Sequence, residues 1–139
     1  MVKIKPKQFG PVNVLFDGAD AITFAQADLA QAQHLPPRSS PIVTLLASLG
    51  HCLVESVRII ARREDLTLAP FTISITAEKA LDLPGKLEVI RCIVHGNPVA
   101  DSLLAIELVA NAKAICTVSN TLNCDTQVKI TSNEDPPIT

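Results

Sequence analysis

Four cysteines, Cys52, Cys92, Cys116 and Cys124, are the side chains of this 139-residue chain best suited to chemistry. A thiolate is both a nucleophile and a redox centre, and its reactivity follows its ionisation. No pair is spaced as C-x-x-C, and Cys116 and Cys124 stand too far apart for a zinc knuckle, so no metal is expected. Cysteine-protease signatures, a Gly-rich phosphate loop and H-E-x-x-H are all missing, and no cofactor is expected. His51 adjoins Cys52, but consecutive helical residues point about 100° apart, the wrong direction for a direct nucleophile–base pair. His34 and His95 are not placed by the sequence.

Cys52 falls on an apolar stripe, in the company of Gly50, His51 and Glu55, which are unusual on a core helix. Two readings stay open, a small packed hydrophobe and a reactive thiol. Gly50 costs ~1 kcal/mol against Ala in a helix interior, which suggests close approach by another backbone or a substrate. Cys116 precedes the small polar run Thr117-Val118-Ser119-Asn120. If a helix restarts there, the thiol sits near a positive helix end and its pKa falls; otherwise it is a packed cysteine. Cys92 shares a strand face with Ile90 and Val94 and reads as core, and Cys124, between Asn123 and Asp125, reads as a loop thiol.

The elements that must position these thiols follow from periodicity and punctuation. In residues 1–38, Lys3, Lys5 and Lys7 alternate with Val2, Ile4 and Pro6 like an edge strand blunted by lysines. Gly10-Pro11 marks a break, after which Val12, Val14 and Phe16 alternate with Asn13 and Leu15. Asp17-Gly18 signals a hairpin into Ala21–Ala25. His34 to Pro41 is a Pro-rich loop. Ser40-Pro41 then supplies a helix N-cap and first residue, and the long helix runs to Arg63, within a 40–63 segment. The 70–132 segment reads as strand (71–79), Pro84-Gly85 turn, strand (87–95), helix (98–112, capped by Asn97-Pro98) and closing strand (127–131), with residues 113–122 continuing the helix or starting a new turn at Cys116. Asn133–Pro137 reads as a frayed end. The order is α+β, in a single domain over 1–139.

Composition removes other classes. With 47% apolar residues and a formal net charge of −2, the chain has core material and no basic excess to hold a phosphate backbone. Its only aromatics are four Phe, too few for base-stacking platforms, so no nucleic-acid partner is expected. No run reaches the ~20 consecutive apolar residues of a membrane span, and residues 1–16 lack a hydrophobic signal region, so a cytoplasmic protein without a membrane partner is expected. Thiols there are kept reduced, which disfavours a structural disulfide framework.

Two stretches together resemble the OsmC-like family, which includes the organic hydroperoxide resistance proteins. Ser40-Pro41-Ile42-Val43-Thr44-Leu45-Leu46-Ala47-Ser48-Leu49-Gly50-His51-Cys52 is similar to its S/N-P-x-x-L-L-x-A-x-x-x-C central helix. Ala114-Ile115-Cys116-Thr117-Val118-Ser119-Asn120-Thr121-Leu122 is similar to its C-P-x-S-x-x-L segment, with Thr117 in place of proline. The 64-position spacing of the two cysteines and the element order fit over residues 35–131. The resemblance implies an intertwined homodimer with central helices between curved antiparallel sheets. It also implies a thiol peroxidase in which Cys52 attacks an organic hydroperoxide, its sulfenic acid condenses with Cys116, and a dithiol reductant resets the pair.

Peroxidatic members carry an Arg–Glu pair beside the first cysteine, with the Glu in the first turn after the helix proline. Ile42, Val43 and Thr44 occupy that turn here, and no Arg precedes Arg38. Candidate helpers are therefore Glu55, three residues from Cys52, with His51 and Arg38. Their plainer readings are an ion pair of Glu55 with Arg58 or Arg62, an interface histidine, and a solvated loop charge. The alternative function is a member that keeps the dimer and the thiols but has lost peroxidase activity, acting as a small-ligand-binding or redox-responsive protein.

Overall fold

The computed structural model describes residues 5–131. β1 (Gln8–Phe16) follows the alternation of its sequence, with Val12, Val14 and Phe16 buried. It does not break at Gly10-Pro11. Gly10 takes φ +93°, and the pairing with the third strand shifts between Phe9 and Val12, a bulge that carries the strand through. Glycine is required there, since a Cβ would lie 2.6 Å from the Ile75 carbonyl oxygen. Val2, Lys3 and Ile4 lie outside the described residues. Lys5 to Lys7 form no strand, although the Lys7 carbonyl accepts a hydrogen bond from the Lys79 N–H at 2.8 Å.

Asp17 stabilises the expected turn by accepting from the N–H groups of Ala19 and Ala21, and β2 (Ile22–Ala25) returns antiparallel to β1. The loop that follows is stapled by Phe24 and Gln33, whose backbones exchange two hydrogen bonds, and by the Thr44 hydroxyl, which donates to the Pro37 carbonyl. α1 spans Pro41–Arg63 as its caps predict: the Ser40 side chain accepts from the Val43 N–H, and Arg62 and Arg63 occupy the last turn. By length and composition alone α1 could cross a membrane, but half of its apolar window is buried inside the fold.

β3 (Phe71–Lys79) and β4 (Leu87–His95) form the expected antiparallel hairpin. α2 starts later than Asn97-Pro98 suggested, spanning Ser102–Ile115. Asp101 is the stronger cap, its carboxylate accepting from the N–H groups of Leu103 and Leu104, while the Pro98 carbonyl is taken by the Ala69 N–H. The chain straightens at Cys116 and restarts as the short α3 (Thr117–Thr121), then enters β5 (Asp125–Thr131) two residues earlier than the pattern indicated. Residues 133–137, expected to fray, lie outside the described residues.

Among the described residues these strands make one five-stranded sheet in the order β2-β1-β3-β4-β5. The sheet is mixed, which corrects the expectation of wholly antiparallel sheets: β5 runs parallel to β4. The reason is the length of the connection. α2 and α3 cross the sheet between β4 and β5, and such a crossover returns the chain in its original direction. α1 packs on β1, β3, α2 and α3. Its Leu46, Leu49, Leu53, Val54 and Val57 are almost wholly buried, against sheet residues such as Val14, Ile73, Ile75, Ile90 and Val94. Each such side chain contributes about 1.5–3 kcal/mol by burial.

Gly50 sets how closely α1 meets the sheet. A Cβ on it would lie 2.5 Å from Ile75 Cδ1 and 2.6 Å from Val14 Cγ2. The close approach is thus by side chains of β3 and β1, not by a backbone or a substrate. Gly50→Ala is expected to destabilise the protein by up to about 2 kcal/mol, the balance of an overpacking cost of roughly 1–3 kcal/mol against a helix-propensity gain of about 1 kcal/mol. Urea unfolding of the two proteins measures the difference, and a stabilised variant would show that α1 has room to move.

Candidate functional site

Position along α1 decides what Cys52 faces. Residues two apart on a helix project about 200° apart, so Gly50 meets the sheet while Cys52 turns towards the opposite side. Cys52 is half-buried, between the exposed positions Ser48, His51 and the half-exposed Glu55 and the core-facing Leu49 and Leu53. α3 packs against α1, and its first turn begins at Cys116, which is completely buried. The Cys52 and Cys116 side chains adjoin, close enough for Cys52 to act on the Cys116 thiol, and both are free thiols. Two residues 64 positions apart in sequence thus meet at one place on the helix layer.

Burial pushes the Cys116 thiol up to about 11. The Ser119 N–H, in the first turn of α3, pulls the other way, the neighbouring Cys52 raises it further, and the Val118 N–H lowers it. The expectation that a helix end would lower this pKa is therefore overturned. α3 is one short helix with no capping hydrogen bond from the thiol, too little to offset the desolvation of a thiolate with no exposed surface. Cys92, 1% exposed, is pushed up to about 12, first by burial and then by Cys116, with Lys113 acting in the opposite sense.

Each of the three candidate helpers has surroundings of its own. Glu55 is held by Arg58, at 2.9 Å, as the plainer reading had it. Arg58 also reaches Asp20 at 3.2 Å and lies 5.2 Å from the Phe16 ring centroid, pinning the β1–β2 loop to α1. His51 is exposed and meets Phe24 edge to face, with ring centroids 5.6 Å apart. Arg38 is exposed in the Pro-rich loop and makes no ion pair among the described residues. Nor do three His, Cys, Asp or Glu side chains gather there as metal ligands.

The sequence model of the OsmC-like protein family matches residues 35–131, the span that holds both cysteines. The chain belongs to the OsmC-like family. No curated protein matches it in sequence. Its fold is similar to an organic hydroperoxide resistance protein OsmC from Legionella pneumophila, at 15% identity and a TM-score of 0.57, covering 94% of this chain and 99% of that one. An OsmC-like protein from Mycoplasma pneumoniae gives 16% identity and 0.58 over 94% and 99% of the two chains. The organic hydroperoxide resistance protein OhrB of Bacillus subtilis gives 16% and 0.58 over 92% and 98%. At these identities the likeness establishes the fold.

In this OsmC-like chain the first turn of α1 presents Ile42, which with Phe9 and Leu87 lines an apolar cavity of 250 Å³ flanked by Lys79 and Lys86. Nothing in the sequence signals that Cys92 lies near Cys116. The parity of β4, with residues 90, 92 and 94 on one face, placed it in the core, but only the packing of α2 and α3 over that face brings the two thiols into range. Cys124 is a free thiol in the loop between α3 and β5, as expected. It stands half-buried against the core at the entrance to β5.

A raised thiol pKa has a definite sign for stability. The folded chain retains a proton on Cys92 to about pH 12, whereas the unfolded chain loses it near 9.0. Stability is therefore unaffected below about pH 9 and falls as the pH climbs towards 12, by about 1.4 kcal/mol per unit for this one group. Urea unfolding at pH 8 and pH 10.5 is expected to show the alkaline loss reduced by about 2 kcal/mol in Cys92→Val, by the same arithmetic. Equal losses in both proteins would mean that Cys92 titrates as an exposed thiol.

Proposed function

We propose that this OsmC-like protein is a thiol peroxidase that reduces organic hydroperoxides, with Cys52 as nucleophile and Cys116 as resolving thiol. The observation that carries this reading is the adjacency of the two free thiols, one half-buried and the other sealed. A peroxide reaches Cys52 first, and the high pKa of Cys116 keeps it protonated and out of competition. The Cys52 thiolate attacks one peroxide oxygen, the O–O bond breaks, and the alcohol leaves after taking up a proton. Cys52 is then a sulfenic acid. The Cys116 sulfur attacks it, an S–S bond forms, and water leaves with the thiol proton. A dithiol reductant restores both thiols by exchange.

The protein acts in this reading as a homodimer. Leu103 and Ile106 on α2 are 79% and 53% exposed, and Ile59 on α1 is 38% exposed. A second copy covering these faces would bury apolar surface and enclose Cys52 in the dry setting that an alkyl hydroperoxide needs. One observation supports the second reading, a ligand-binding or redox-responsive protein without peroxidase activity. Arg58 is engaged by Glu55 and Asp20, and Ile42 fills the turn where peroxidatic members carry Glu.

Anaerobically reduced protein mixed with one equivalent of cumene hydroperoxide separates the two. Rapid peroxide loss is expected, with a Cys52–Cys116 disulfide in the peptide map. Cys52→Ser should fall to the rate of a free thiol, at least 100-fold slower, and Cys116→Ser should consume one equivalent and stop with a sulfenic acid on Cys52. A wild-type rate no faster than free cysteine would exclude the peroxidase.

A further inference from the structure

The face of the sheet turned away from α1 carries a set of side chains that the thiol site does not use. The pairing of β3, β4 and β5 arranges them in three rows. One row is Thr76, Arg91 and Gln127; the next is Ser74, Ile93 and Lys129; the third is Thr72, His95 and Thr131. Paired residues share a face of a sheet, and so do alternate residues along one strand. The rows therefore form a grid with Ile93, half-buried, as its single apolar member, surrounded by eight polar side chains.

This grid floors a cavity of 640 Å³ whose lining includes Ser74, Thr76, Arg91, Ile93 and Lys129, with Glu78 at its side. The volume lies in the range of about 300–1,000 Å³ that small-molecule sites occupy, and a few polar groups around an apolar contact are the usual means of orienting a ligand. The charges are unequal. Arg91 is 3.2 Å from Glu78, which accepts a further hydrogen bond from Gln8, whereas Lys129 has no ion pair among the described residues. Among the described residues the cavity is thus left with one uncompensated positive charge, in a chain whose formal net charge is −2.

We propose that this outer-face cavity binds a small organic monoanion, a carboxylate carried on a short apolar body. The carboxylate sits between Lys129 and Arg91, diagonal neighbours on adjacent strands whose long side chains can close the roughly 7–8 Å between such positions. The apolar body rests on Ile93, with the Ser74 and Thr76 hydroxyls at its side. One uncompensated cation matches a monoanion better than a dianion, and the apolar centre disfavours a bare inorganic ion. The site lies on the opposite side of the sheet from Cys52 and does not depend on the chemistry of the thiols.

Amide NMR spectra of the isotopically labelled full chain, titrated with hexanoate up to millimolar concentrations, test this, with hexan-1-ol and inorganic phosphate as parallel probes. Saturable shifts are expected at Thr76, Arg91, Ile93 and Lys129 with hexanoate, and binding at least tenfold weaker in Lys129→Glu. An unchanged melting curve for that variant, whose altered side chain is exposed, shows that the fold is kept. Four results would overturn the proposal: no saturable shift, shifts confined to α1, equal binding by Lys129→Glu, or hexan-1-ol or phosphate binding as tightly as hexanoate.

Discussion

The close seating of α1 on the sheet at Gly50 is the contact on which the rest of the arrangement depends. With no Cβ there, the helix lies directly over Ile75 and Val14, and one geometric fact then propagates along it. A helix whose position and rotation are fixed at residue 50 has its opposite face fixed at residue 52. Cys52 is thereby held towards α3 at the edge of the core. The cap at Ser40 and the Arg58 ties to Glu55 and Asp20 secure the two ends of the same rod.

Burial then separates the roles of otherwise similar thiols. Cys116 and Cys92 are sealed in the core, and the free energy of removing a thiolate from water raises both pKa values far above neutrality. Cys52 shares the neighbourhood but not the burial. In the proposed peroxide reduction, this asymmetry separates an accessible nucleophile from a resolving thiol that waits protonated. The positive pole of a five-residue helix is a small effect beside full desolvation, so proximity to α3 does not make Cys116 acidic.

The sheet divides the molecule into two chemically different sides. One side is the apolar floor under α1 and α2, where Ile90, Cys92 and Val94 point. The other carries Arg91, Ile93 and His95 from the same strand, among hydroxyls and charged groups. Because side chains alternate with a period of two, a single strand supplies both a core face and a polar outer face, and the parallel addition of β5 extends each by one strand.

Much of this was legible in the sequence because it rests on local rules. Ser40-Pro41 and the apolar stripe fixed α1 to the residue, strict alternation did the same for β3, and the apolar run after the Pro84-Gly85 turn did so for β4. The helix proline and the two cysteine motifs pointed to the family. Where local signals competed, they failed. Asn97-Pro98 looks like a cap, but the Pro98 carbonyl is used by Ala69 and the capping passes to Asp101. Gly10-Pro11 looks like a break, but β3 supports a bulge. Tertiary structure alone decided that β5 runs parallel to β4, that Arg58 reaches Asp20 as well as Glu55, and that Cys92 and Cys116 lie close together. Each of these depends on partners far away in the chain. Periodicity records which face of an element is apolar, and carries no information about which other element will cover it.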